Sequence, residues 1–218
     1  CIRDRAYLSQ KARKMLDEAG WPECQISVSN SLDERLIQNL FLQGAQIDMF
    51  GVGERMITAK SEPVFGGVYK LTAVENDKGE IIPKIKCSEN VEKITIPHFK
   101  KVYRLYNRDN DKAIADYMTV HDEVVDENEP LMLFDPYATW KTKNVCNFEA
   151  RELLVPVFLN GKKVYQSPTL KDIQAYCKQQ VNTLWDEIKR FDNPQTYYVD
   201  LSQKLWDIQQ ELLRKNRN

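Results

Sequence analysis

The stretch whose reading decides the fold is ISVSNSLDERLIQNLFLQGAQIDMFGVGERMITAKSEPVFGGVYKLTAV, residues 26–74. It reads as a β-α-β unit with a polar or glycine-rich turn after each strand. Ile26 and Val28 alternate with polar neighbours and run into Ser29-Asn30. Ser31-Leu32-Asp33-Glu34 follows as a capping box. In it the Ser31 hydroxyl accepts from the Glu34 N–H, and the Glu34 carboxylate accepts from the Ser31 N–H. Leu32, Leu36, Leu40 and Phe41 share one helical face, and Gly44 supplies a left-handed C-terminal cap. Ile47, Met49 and Phe50 read as a second strand that ends at Gly51-Val52-Gly53.

A strand that returns through a helix runs parallel to the first. Both turns are therefore expected at the same, carboxyl edge of the sheet, where α/β proteins bind their ligands. Glycines there let backbone N–H groups approach phosphate oxygens closely. The pattern leaves two readings open, an anion site and a pair of ordinary turns, because G-x-G is a weak motif.

The 218 residues suffice for one sizeable core and a smaller second unit. Basic and acidic residues balance at 31 against 32, so charge gives no long-range pull towards nucleic acid or an anionic membrane. No apolar run approaches the roughly 20 residues needed to span a bilayer. No signal peptide is visible in a chain that begins Cys-Ile-Arg. The five cysteines are scattered, without C-x-x-C spacing, and read as reduced thiols of a cytoplasmic protein. His98 and His121 lie far apart in the sequence, in no metal-ligand pattern.

Outside the β-α-β unit, Tyr7 to Ala19 reads as an amphipathic helix with Leu8, Ala12, Met15 and Leu16 on one face. Lys11, Arg13 and Lys14 are mostly solvated in that reading, and Gly20 with Pro22 ends the helix. Asn76-Asp77-Lys78-Gly79 reads as a turn joining Leu71–Val74 to Ile81–Ile85. Short β-leaning segments follow at Lys101–Leu105, Ala113–Val120 and Leu131–Phe134. The acidic cluster Asp122, Glu123, Asp126, Glu127 and Glu129 lacks the EF-hand spacing and glycine, so it reads as a solvated loop. Asn160-Gly161 is a two-residue hairpin signal. Thr169 with Asp172 opens a helix whose stripe is Leu170, Ile173, Cys177, Val181, Leu184 and Ile188, broken at Asn193-Pro194. A last helix starts near Asp200, with Leu201, Leu205, Ile208 and Leu212 along its face. The expected organisation is residues 1–75 with the two turns, a β-rich domain over 76–166, and C-terminal helices over 167–218.

The segment GAQIDMFGVGERMITAKSEPVFGGVYKL, residues 44–71, resembles the signature segment of the nicotinate phosphoribosyltransferase family. AYLSQKARKMLDEAGW (6–21), SNSLDE (29–34), FKKVYRLY (99–106), LFDPYATWK (133–141), ARELLVPVF (150–158) and YYVDLSQKLWD (197–207) are similar to the same family, in its order. The resemblance implies an α/β fold: the C-terminal portion of an irregular (β/α) barrel, then a small β-rich domain and a helical C-terminal tail. A strand over Val68–Leu71 is implied only by this resemblance. It implies that the chain is the C-terminal part of a longer enzyme, inactive by itself.

The implied reaction joins nicotinate to phosphoribosyl pyrophosphate in NAD biosynthesis, giving nicotinate mononucleotide and pyrophosphate. ATP hydrolysis is coupled through a phosphorylated histidine upstream of these residues, and Mg2+ screens the leaving group. The implied phosphate cradle is Ser29 and Asn30 with Gly51, Val52, Gly53 and Glu54. Arg3 is a possible substrate contact, although the Asp-Ser-Gly-Asp that follows the arginine in the family is absent here. Glu54 departs from the family's usual threonine, and Arg55 or Lys60 is expected to neutralise it. Family members commonly form homodimers. The alternatives are another phosphate-binding barrel, such as quinolinate phosphoribosyltransferase, and a non-catalytic assembly module.

Overall fold

The β-α-β unit forms with the expected parallel pairing. The computed structural model describes residues 4–64 and 66–216. Within them, helix α1 (Arg5–Glu18) precedes strand β1 (Ser27–Ser29), helix α2 (Glu34–Leu42) and strand β2 (Met49–Gly51), and a single helical turn α3 (Glu54–Ile57) follows. β1 and β2 run parallel, pairing Ser27 with Met49, Val28 with Phe50 and Ser29 with Gly51. Helix α2 ends as the sequence requires: Gly44 is left-handed at φ +71, its N–H reaches Phe41 O, and the Ala45 N–H reaches Leu40 O.

The start of α2 differs from expectation. Ser31 does not cap it; Asp33 does, its carboxylate accepting from the Leu36 N–H at 2.8 Å. The reason is local, since Asn30 and Ser31 are both left-handed (φ +79 and +52) and cannot lead straight into a right-handed turn.

Helix α1 also presents a different face. Ala6 and Ser9 are buried, whereas Leu8 and Met15 are exposed. Ser9 accepts from the Gln46 N–H, Gln10 donates to the Gln43 and Gly44 carbonyls, and Arg13 donates to Trp21 O and Cys24 O. The helix is thus held by polar contacts that a count of apolar side chains does not register. Ala6, Leu32 and Leu40 form the core of this unit, with Val28, Leu36, Ile47 and Phe50 around them.

The chain divides into Cys1–Val68 and Tyr69–Asn218. In the second unit, β3 (Ala73–Glu75) and β4 (Ile81–Pro83) make the expected hairpin around Asn76–Gly79, but Val68–Leu71 is not a strand. The sheet at its centre uses β5 (Lys100–Asn107) and β6 (Ala113–Val120). Next come the hairpin β7 (Leu131–Phe134) with β8 (Thr142–Val145), strand β9 (Phe148–Glu152), and the small hairpin β10 (Phe158–Leu159) with β11 (Lys162–Lys163). Helix α4 (Leu170–Thr183), the short α5 (Asp186–Lys189), strand β12 (Val199–Leu201) and helix α6 (Gln203–Lys215) complete the unit.

The central sheet has the order β12-β6-β5-β9. β12 joins parallel to β6, and the other pairs are antiparallel. Alternation decides its buried face: Ala113, Ala115, Tyr117 and Thr119 point inward along β6, opposite Tyr103 and Leu105 of β5. Phe148, Leu133 and Val145 close this core, and Leu201 and Leu205 form a second cluster with Val120.

The C-terminal segment differs from its sequence reading. α4 carries the capping box of Thr169 and Asp172, but it stops at Thr183, so Leu184 and Ile188 do not extend its stripe. Lys112 donates to the carbonyls of Asn182 and Leu184 and ends the helix there. α6 starts at Gln203, capped by Ser202, because Val199–Leu201 is drawn into the sheet first.

Candidate functional site

The pairing of Ser29 with Gly51 brings both turns to one edge of the two-stranded sheet. A cavity of about 250 Å3 opens there, lined by Asn30, Ser31, Leu32, Gly51, Gly53, Glu54 and Arg55. Ser29 and Val52 of the expected set flank these residues in the chain without lining the cavity. Arg3 lies outside the described residues.

Each wall has a local cause. A Cβ on Gly51 would stand 2.9 Å from Ser29 Cβ, so only glycine permits this register. Asn30 and Ser31 are non-glycine residues in the left-handed region, where such conformations cost on the order of 1–3 kcal/mol each. The turn is held by Arg5, whose Nη2 donates to Asn30 O at 2.7 Å. Gly53 precedes α3, and its carbonyl accepts from Met56 and Ile57. The first N–H groups of that turn have no acceptor inside it.

The charges are arranged by two ion pairs. Arg55 Nη1 meets Asp33 Oδ2 at 2.5 Å, tying the cap of α2 to the glycine turn. Lys60 Nζ stands 3.7 Å from Glu54 Oε1, with both side chains largely exposed. Of the two cations expected to neutralise Glu54, Lys60 approaches it and Arg55 serves Asp33 instead. An exposed pair at that distance contributes about 0–1 kcal/mol, so Glu54 keeps most of its field. The cavity is thus lined by the backbone of two turns, one carboxylate (Glu54) and one guanidinium (Arg55) that is already paired with Asp33. Sequence reasoning missed Arg5 and Asp33. Asp33 was findable as an alternative cap residue two places after Ser31, whereas Arg5 contacts Asn30 across 25 positions and leaves no local signal.

Elsewhere the polar residues noted in the sequence have structural employment. The acidic cluster lies in a loop, as expected, with Asp122, Asp126 and Glu129 exposed, but three of its five members are tied to residues distant in the chain. Asp122 pairs with Lys204, Glu123 accepts from Ser202 Oγ and the Val120 N–H, and Glu127 accepts from Arg108 and the Ala150 N–H. His98 and His121 stack with ring centroids 5.8 Å apart. Lys100 donates to the carbonyls of Ile96, Pro97 and His98, and its burial lowers its pKa. Arg151 lies over the Tyr106 ring and donates to Gln180 Oε1 at 2.7 Å. Among the described residues no three His, Cys, Asp or Glu side chains are grouped to hold a metal ion. No helix among them is long and apolar enough to cross a membrane.

Residues 99–209 match the family model described as "Nicotinate phosphoribosyltransferase C-terminal domain". The chain is 46% identical over 203 residues to "Nicotinate phosphoribosyltransferase" of Bacillus subtilis, a match covering 93% of this chain and 41% of that protein. It is 32% identical over 215 residues to "Nicotinate phosphoribosyltransferase 2" of Arabidopsis thaliana, covering 94% of this chain and 38% of the relative. Its fold is similar to that in "Crystal structure of human Nicotinic Acid Phosphoribosyltransferase", with a TM-score of 0.66 at 24% identity over 96% of this chain and 38% of the human one. The chain therefore spans about two fifths of the length of the relatives it matches. With its α/β architecture and a family match over more than half its length, the chain belongs to the nicotinate phosphoribosyltransferase family.

Proposed function

We propose that this chain supplies the 5′-phosphate-binding part of a nicotinate phosphoribosyltransferase of NAD biosynthesis. The whole enzyme joins nicotinate to phosphoribosyl pyrophosphate, releases nicotinate mononucleotide and pyrophosphate, and couples the reaction to ATP hydrolysis. The observation that carries this reading is the Ser29–Gly51 register, which faces two turns across a small polar cavity at the carboxyl edge of a parallel pair. Asn30 and Ser31 on one side and the Gly51–Glu54 backbone on the other hold the 5′-phosphate, with Arg5 fixing the Asn30 turn. Ser29 and Val52 set the spacing of the two turns.

The transition state of phosphoribosyl transfer resembles an oxocarbenium ion, so the protein's main task is to position both reactants and stabilise the departing charge. Anchoring the phosphate fixes the ribose relative to the nicotinate nitrogen. Mg2+ accompanies the pyrophosphate through substrate oxygens, and the described residues offer it no cage of their own. ATP and the histidine it phosphorylates belong to the upstream portion, as does most of the nicotinate pocket. Residues 1–75 complete an irregular (β/α) barrel with that portion. The full protein works as a cytoplasmic homodimer.

The test uses the gene extended upstream to the length of its relatives. Nicotinate mononucleotide formation from nicotinate and phosphoribosyl pyrophosphate is followed with and without ATP. ATP-stimulated product supports the reading. A folded, full-length protein that makes no product overturns it.

A further inference from the structure

A second cavity, of about 220 Å3, lies in the unit that does not contain the phosphate turns, between the β7–β8 hairpin and strand β12. Its floor is apolar, from Leu133 and Phe134, and its charged lining is Asp135, Asp200, Lys141 and Lys143, with the hydroxyl residues Thr142 and Tyr198 beside them. Asp200 is the unusual member. It is 5% exposed, and its Oδ1 is shielded from solvent without any hydrogen-bond partner. Oδ1 itself is closed off, but the carboxylate it belongs to lines the cavity with no bonded donor or cation among the described residues to offset its charge, so an external cation is what the wall lacks.

The neighbours narrow what that cation is. The Asp135 carboxylate is already engaged by the N–H groups of Tyr137 and Ala138, so it shapes the loop. Two carboxylates bordered by two lysines make a poor donor set for a hard cation, which takes six or more oxygens. The lysines equally oppose a simple organic cation unless it brings an anion for them. The volume is below the ~300–1,000 Å3 of sites for drug-sized ligands, so the ligand is small.

We propose that this cavity binds a small zwitterion of the amino-acid class with an apolar side chain. Its ammonium donates to Asp200, its carboxylate meets Lys141 and Lys143, and its aliphatic part covers Leu133 and Phe134. Burial, with the Asp135 carboxylate adding to it, pushes the Asp200 carboxyl up to about 6. The site is separate from the phosphate turns, and its test does not depend on transferase activity.

The probe is L-leucine, titrated into the full chain and followed by backbone amide NMR. Two half-molecules serve as controls: isopentylamine, which lacks the carboxylate, and 4-methylpentanoate, which lacks the ammonium. Leucine is expected to shift the amides of 141–143 and 200 saturably, with each half-molecule binding roughly tenfold more weakly. Asp200→Asn, which keeps the side-chain shape, and the exposed pair K141A/K143A are each expected to weaken leucine by roughly tenfold. The proposal is overturned if leucine produces no saturable shift, if isopentylamine binds as well as leucine, or if D200N with an otherwise unchanged spectrum binds it as the parent does.

Discussion

Gly51 faces Ser29 across the parallel pair so closely that a Cβ at position 51 would lie 2.9 Å from Ser29 Cβ. The glycine is therefore fixed by the strand register, before any question of phosphate arises. Gly51→Ala should push the two turns apart and destabilise the chain by about 1–3 kcal/mol, as overpacking does. Inorganic phosphate should then no longer shift the amides of 51–54. Gly66, where a Cβ would meet nothing within 4 Å, is the control, and Gly66→Ala should leave melting and phosphate response unchanged. Equal effects of the two substitutions would remove the steric account.

Glu54 sets a second expectation. Its carboxylate lines the candidate cavity, and Lys60 at 3.7 Å neutralises it weakly. Glu54→Gln keeps the shape and removes the charge. Phosphate affinity should rise roughly threefold, the equivalent of about 0.7 kcal/mol of relieved repulsion. A fall in affinity on titrating phosphate would mean that the carboxylate faces away from the anion or helps to hold the turn.

The sequence made the β-α-β unit legible because its signals are local and agree with one another. Gly44 after an apolar face and Gly51 after a short strand lead to one arrangement, as do Asn160-Gly161 (φ +49 and +73) and the Thr169 capping box. The misreadings are where distant contacts decide. Three residues, Val199–Leu201, became a parallel edge strand because β6 was left with an open side, which no pattern within 199–212 announces. Helix α1 turned Ser9 inward to accept from Gln46 N–H, 37 positions away. At the two turns that line the candidate cavity the glycines were readable, and the residues that hold them in place were not. Arg5 and Asp33 act through a backbone carbonyl and an ion pair with Arg55, and neither leaves a spacing rule.

Asp200 predicts a pH dependence whose sign is opposite to the usual carboxylate case. Burial raises its folded pKa from 3.8 to about 6, so the folded state binds a proton that the unfolded state has already released. Its contribution is fully present below about pH 4 and is lost as pH rises through about 6. The move corresponds to on the order of 3 kcal/mol. Asp200→Asn should flatten that part of the stability profile, read as urea midpoints between pH 4 and 7. A parent profile that rises across the same window at this site, with D200N unchanged, would contradict the assignment.

The hairpin β10–β11 and helix α4 carry the last expectation. Phe158 and Leu159 are 63% and 55% exposed, and Leu170 and Ile173 are 70% and 49% exposed, although the two elements follow one another in the chain. No described residue of α4 is buried. The helix is held by polar ties at its C-terminal half, from Gln180 to Tyr106 and Arg151 and from Lys112 to its last carbonyls. A two-stranded hairpin is marginal alone in water, and large apolar side chains left this exposed on it and on the helix favour association. The chain should therefore self-associate with rising concentration in sedimentation velocity and bind a hydrophobic dye. Replacing Phe158 and Leu159 together by serine should shift the distribution towards monomer, because these side chains contribute apolar surface outside the core and the Asn160-Gly161 turn is retained. A parent chain that sediments as a concentration-independent monomer without dye binding would show that this surface is covered from within the chain.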